Sequence, residues 1–121
     1  MATGYGKELT REMAYDEGLA QRVREEVFEL PGYEEKRMFG GIGFMLHGNM
    51  ACGVIGEDLI VRVGPAAYET ALAEPNSRVF DMTGRPMTGW VVVTAEGYAL
   101  DEALERWVEQ GVAFASSLAP K

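Results

Sequence analysis

Only one cysteine and one histidine occur in the 121 residues. Cys52 alone excludes an intramolecular disulfide framework. His47 has no second histidine or cysteine at ligand spacing, so a zinc site of about four ligands cannot be assembled within one chain. Long apolar runs are missing too. The longest, Ile42–Leu46 and Trp90–Val93, fall far short of the roughly 20 residues that cross a bilayer. The N-terminus lacks the apolar core of a signal peptide, and a cytoplasmic location is expected. Basic residues are few, 11 against 19 acidic, and the formal charge of −8 disfavours phosphate backbones. Neither nucleic-acid binding nor membrane association is therefore expected. Ser116 and Ser117 have no histidine or aspartate arranged to activate them, and no paired acid and base emerges from the carboxylates. No catalytic residue, metal or cofactor is assigned.

The composition itself is that of a folded protein, with 47% hydrophobic and 25% charged residues. The reading divides the chain into an N-terminal extension, 1–14, and a single domain, 15–121. Asp16 is a plausible N-cap, and Leu19, Val23, Val27 and Leu30 form one apolar stripe of a helix that stops before Pro31-Gly32. Pro65 opens a short helix through Tyr68 and Leu72. Short strands are expected over Arg78–Met82 and Trp90–Thr94, separated by a Gly/Pro-rich loop. Asp101 is expected to cap a last helix with Leu104, Trp107, Val108, Gly111, Val112, Ala115 and Leu118 on its buried stripe. The resulting class is α+β, with element order α-β-β-β-α-β-β-α.

The middle of the chain, Lys36 to Gly64, reads as strands separated by glycine turns. A two-residue Gly48-Asn49 loop would set Leu46 against Ala51, Met45 against Cys52 and Phe44 against Gly53. A three-residue turn at Gly56-Glu57-Asp58 would then set Cys52 against Arg62. Because side chains alternate along a strand, this register assigns Ile42, Phe44, Leu46, Ala51, Ile55, Leu59, Val61 and Val63 to the core. It turns Met45, Met50, Cys52, Val54, Ile60 and Arg62 outward. A bulge is expected near Phe39–Ile42, since a simple turn there would put Arg37 on the core face.

That outward set is the candidate interface, because methionines suit adaptable contact surfaces and exposed apolar patches mark interfaces. Cys52 would be a reactive thiol only with a cation such as Arg62 across from it. Gly40-Gly41-Ile42-Gly43 feeds a strand rather than a helix, which argues against a phosphate loop. Arg37, Arg62 and Arg85, with the aromatics Phe39 and Trp90, form the second candidate, a pocket or anion contact built on forked guanidinium donors.

Several short motifs recur here in a familiar order. They are Met13-Ala14-Tyr15-Asp16-Glu17, Lys36-Arg37-Met38-Phe39-Gly40-Gly41, Phe44-Met45, Gly48-Asn49-Met50 and Cys52-Gly53. Val61-Arg62-Val63-Gly64, Thr83-Gly84-Arg85-Pro86-Met87 and Gly89-Trp90-Val91 complete the set. With these the chain resembles the N-terminal domain family of TfoX/Sxy, regulators associated with bacterial natural competence. The resemblance implies a two-layer α+β sandwich, a mainly antiparallel sheet with helices on one face, similar to YjbR-like and secretion-chaperone-like domains. It implies no catalytic residues. The function expected is a small regulatory or adaptor module acting through protein contacts or self-association. The alternative is a small-molecule or anion-binding protein, or an enzyme, with its pocket near Arg62, Arg85, Phe39 and Trp90.

Overall fold

The computed structural model describes residues 15–81 and 84–121. The extension 1–14 of the sequence reading, and the Met82 and Thr83 ends of its strand and loop, lie outside the described residues. Helix α1 (Glu17–Val27) begins where expected: the Leu19 N–H donates to Asp16 Oδ1 at 3.0 Å, and Glu17 sits in the positively polarised first turn. Leu19, Ala20, Val23 and Val27 are its buried stripe, and the helix ends ahead of Leu30.

Six antiparallel strands follow: β1 (Tyr33–Met38), β2 (Gly41–Leu46), β3 (Asn49–Ile55), β4 (Asp58–Arg62), β5 (Ser77–Val79) and β6 (Trp90–Val93). They form one sheet in the order β1-β2-β3-β4-β6-β5. A short helix, α2 (Tyr68–Leu72), separates β4 from β5. A single turn, α3 (Ala95–Tyr98), precedes the long helix α4 (Asp101–Ser116). The order matches the expected one apart from an additional edge strand and that extra turn. β1 escapes pattern reading because Glu34, Glu35, Lys36 and Arg37 occupy its centre, leaving no apolar alternation. Charge along an edge strand also discourages pairing with stray chains. Asp101 is the first residue of α4 rather than its cap; Leu100 holds the cap position with no side-chain bond.

The register differs from the expected one at four places. Met38 pairs with Gly41 across a simple Phe39-Gly40 turn, so the bulge is not there. Arg37 accordingly points to the helix side, where its guanidinium lies 5.8 Å from the Tyr15 ring centroid. The second turn is His47-Gly48, both at positive φ (51° and 84°), with Leu46 facing Asn49 and Met45 facing Met50. The bulge falls in β3 instead: Met45 faces Met50 but Phe44 faces Cys52, which leaves Ala51 as the extra residue. Beyond it Ile55 faces Asp58 and Cys52 faces Val61, not Arg62.

The bulge has a packing reason. Gly111 of α4 rides directly on it: a Cβ there would meet the Ala51 carbonyl oxygen at under 3.0 Å. Two small residues thus let helix and sheet backbones touch. The core lies between the sheet and helices α1 and α4, centred on Phe44, Leu59, Val61, Val91, Val93, Trp107 and Val108. At about 1.5–3 kcal/mol for each large side chain removed from water, this layer is the main stabilising term.

Candidate functional site

The bulge shifts the alternation of β3, and with it the make-up of the sheet's other face. Cys52 and Val54, both 0% exposed, belong to the core cluster. This corrects their assignment to the outer interface. Burial pushes the Cys52 thiol up to about 12, so it is a packed apolar group and not a nucleophile at neutral pH. Gly53 and Ile55 turn outward in their place. Met45 and Ile60 are buried without joining the core cluster, as residues of the outer face.

On that face the glycines leave room. Gly43 pairs with Gly53 across the β2–β3 ladder, and Gly41 lies along the same row. The Met50 side chain lies over the pair, its Cε 3.4 Å from where a Gly43 Cβ would stand. A Cβ on Gly53 would strike the same Met50 Cε and, at 2.8 Å, the Ile42 carbonyl oxygen; on Gly41 it would strike that of Val54. The bare backbone of Gly43 and Gly53 thus lets the Met50 side chain lie flat on the sheet, where a Cβ at either Gly41 or Gly53 would collide with the neighbouring strand.

The same face carries a pocket of ≈ 250 Å³. Three aromatics (Phe39, Phe80, Trp90), three methionines (Met38, Met50, Met87) and three isoleucines (Ile42, Ile55, Ile60) line it, with no charged side chain among them. Phe80 and Trp90 meet at 6.2 Å between centroids, tilted by 42°, as paired aromatic walls do. Phe39 stands at the rim, 71% exposed, at φ +55°. A bulky residue in the left-handed region is an outlier, and such strain concentrates at functional sites.

Arg62 sits beside the pocket rather than in it. Its guanidinium lies 5.1 Å from the Trp90 centroid and 5.3 Å from that of Phe114, between two rings. It therefore braces a pocket wall. Arg85 is exposed on the loop before β6 and is not among the pocket-lining residues. Of the candidate residues, Phe39, Met50, Ile60 and Trp90 come together in the pocket, Met45 and Arg62 share its face, and Arg37 lies on the opposite side. Met38, Phe80 and Met87 were given no role, and Ile42 and Ile55 were assigned to the core. Ile55 went to the core through the wrong register, Phe80 lies just past β5, where the expected strand Arg78–Met82 stops at Val79, and Met87 arrives from the loop before β6.

Among the described residues no group of three His, Cys, Asp or Glu side chains could hold a metal ion, and no helix is long and apolar enough to cross a membrane. The other polar features are structural. Arg24 pairs with Glu35, and that hydrogen bond holds the Glu35 carboxyl below its ordinary value. Tyr33 also donates to Glu35, and its phenol is raised, chiefly by burial. Asn49 is 1% exposed; its Nδ2 donates to the Ala119 carbonyl at 2.9 Å, beside a Lys121 N–H to His47 carbonyl bond of 2.8 Å.

These features describe an α+β domain whose helix-free sheet face, among the described residues, carries an apolar pocket rather than a catalytic cluster. The family model for the TfoX N-terminal domain matches residues 25–115. The chain belongs to that family and is a TfoX-like module. No curated protein matches it.

Proposed function

We propose that this TfoX-like domain is a cytoplasmic regulatory or adaptor module, working by contact with a protein partner across the outer sheet face. The observation that carries the reading is the apolar pocket of ≈ 250 Å³, walled by Phe39, Phe80 and Trp90 on the outer sheet face. Accessible aromatic and methionine side chains around a concave site are what binding hot spots are made of once a partner covers them. The family match supports a regulatory setting. Anion binding by Arg62 and Arg85 draws less support, since neither lines the pocket and Arg62 is engaged by two rings.

The test compares capture by the wild-type chain with capture by Phe39→Asp combined with Met87→Lys. Both substitutions change the rim and leave the core untouched. A partner held by the wild type and lost by the variant, at equal melting temperature, is the expected result. Equal capture by both overturns the reading.

A further inference from the structure

The pocket is one half of a longer trough. A second depression of ≈ 150 Å³ shares Ile55, Ile60 and Phe80 with it and is lined by Asp58, Asp81 and Arg78. Arg78 is paired with Asp58 at 3.1 Å, so this end carries two carboxylates against one guanidinium. We propose that the trough holds a partner segment presenting an aromatic side chain with a basic residue beside it. This rests on the protein-contact reading above and names the chemistry of the contact.

Size sets the first half of the occupant. Small-molecule sites run from about 300 to 1,000 Å³, so a pocket of ≈ 250 Å³ takes one ring system and not a nucleotide or dinucleotide. Its almost wholly apolar lining offers few hydrogen-bond partners, so the inserted group buries an apolar face and keeps a polar atom, such as an indole N–H, toward the open side. Methionine sulfurs and ring edges then favour an aromatic group over an aliphatic one. Charge sets the second half. Asp58 and Ile60 are same-face neighbours on β4, two residues apart, or about 7 Å at the usual strand rise. A lysine or arginine next to the aromatic residue spans that distance. A second copy of this chain is a poor occupant, because each copy brings a charge of −8.

The test is an NMR titration of the isotope-labelled full chain with acetyl-Trp-Lys-amide, acetyl-Trp-Glu-amide, acetyl-Ala-Lys-amide and indole. Acetyl-Trp-Lys-amide is expected to shift the Ile42, Met50 and Ile60 amides. It should bind at least about threefold tighter than acetyl-Trp-Glu-amide at low salt, a preference that shrinks as salt screens exposed charge. Asp58→Asn with Asp81→Asn should erase the preference and leave indole binding unchanged. Equal binding of the Lys and Glu peptides at these amides overturns the basic neighbour while the protein-contact reading stands. Equal binding of the Ala peptide overturns the aromatic anchor. Tighter binding of indole alone assigns the pocket to a free small molecule and overturns the peptide occupant, as does sedimentation as a dimer that blocks all four probes. No shift at these amides with any probe overturns the proposal outright, whereas the protein-contact reading stands or falls separately on the rim-variant capture.

Discussion

Phe39 is where strain and exposure coincide, and its replacement gives a result of opposite sign to the ordinary rule. At φ +55° a side chain costs about 1–2 kcal/mol that glycine does not incur. Glycine in turn loses about 0.5–1 kcal/mol relative to alanine through its freer unfolded chain. Phe39→Gly and Phe39→Ala discard the same ring, which is 71% exposed and little buried. The difference between the two variants therefore isolates the backbone. The glycine variant should be the more stable by about 0.5–1 kcal/mol, whereas in an ordinary strand alanine leads by that amount. Urea unfolding with a common slope of about 1.5 kcal/mol/M would separate the midpoints by roughly 0.3–0.7 M. Both variants should bind aromatic probes more weakly than the wild type. An alanine variant more stable than the glycine variant would refute the strain at Phe39 and remove it as a sign of function.

Gly111→Ala should destabilise despite alanine's helix preference of about 1 kcal/mol. Its Cβ would press on the Ala51 carbonyl, and overpacking costs about 1–3 kcal/mol or more. A melting temperature lower by roughly 4–8 °C is expected, and a rise would contradict the contact. Deleting 119–121 strips Asn49 Nδ2 of its acceptor, and its Oδ1 already has no partner among the described residues. A loss of about 1–3 kcal/mol in urea unfolding follows, and unchanged stability would refute the clamp. Cys52 should resist thiol reagents at neutral pH in the native state. Its folded-state value of about 12 lies above the ordinary 9.0, so the unfolded chain sheds the proton first. The stability it contributes is therefore complete below about pH 9 and lost as pH rises toward 12. Burial raises Tyr15 and Tyr98 in the same direction. Cys52→Ala should flatten part of the alkaline decline in urea midpoints, and an unchanged decline would refute the burial of that thiol.

The helices were legible because their apolar spacing and the Asp16 cap are written locally. The faces of β2 and β4 were legible by alternation alone, which gave Phe44, Leu46, Leu59 and Val61 to the core and Met45, Ile60 and Arg62 to the other side. β3 failed for a non-local reason. Its turn begins at His47, a residue able to take positive φ but not distinctive of it, and its bulge at Ala51 answers to Gly111 some sixty residues later. One extra residue then exchanged Cys52 and Val54 for Gly53 and Ile55. The pocket was half legible, through Phe39, Met50, Ile60 and Trp90. Its other walls, Phe80 and Met87, come from the segment between β5 and β6, whose approach to the sheet no strand period encodes.

That the outer face carries an open aromatic-binding pocket is tested most directly through its methionines. Of the four methionines among the described residues, Met38, Met50 and Met87 line it, and Met45 does not. With the methionine methyls carbon-13 labelled, titration with indole should move these three signals together, with one dissociation constant. Signals of those three that stay fixed, or that move no more than that of Met45, would contradict the account.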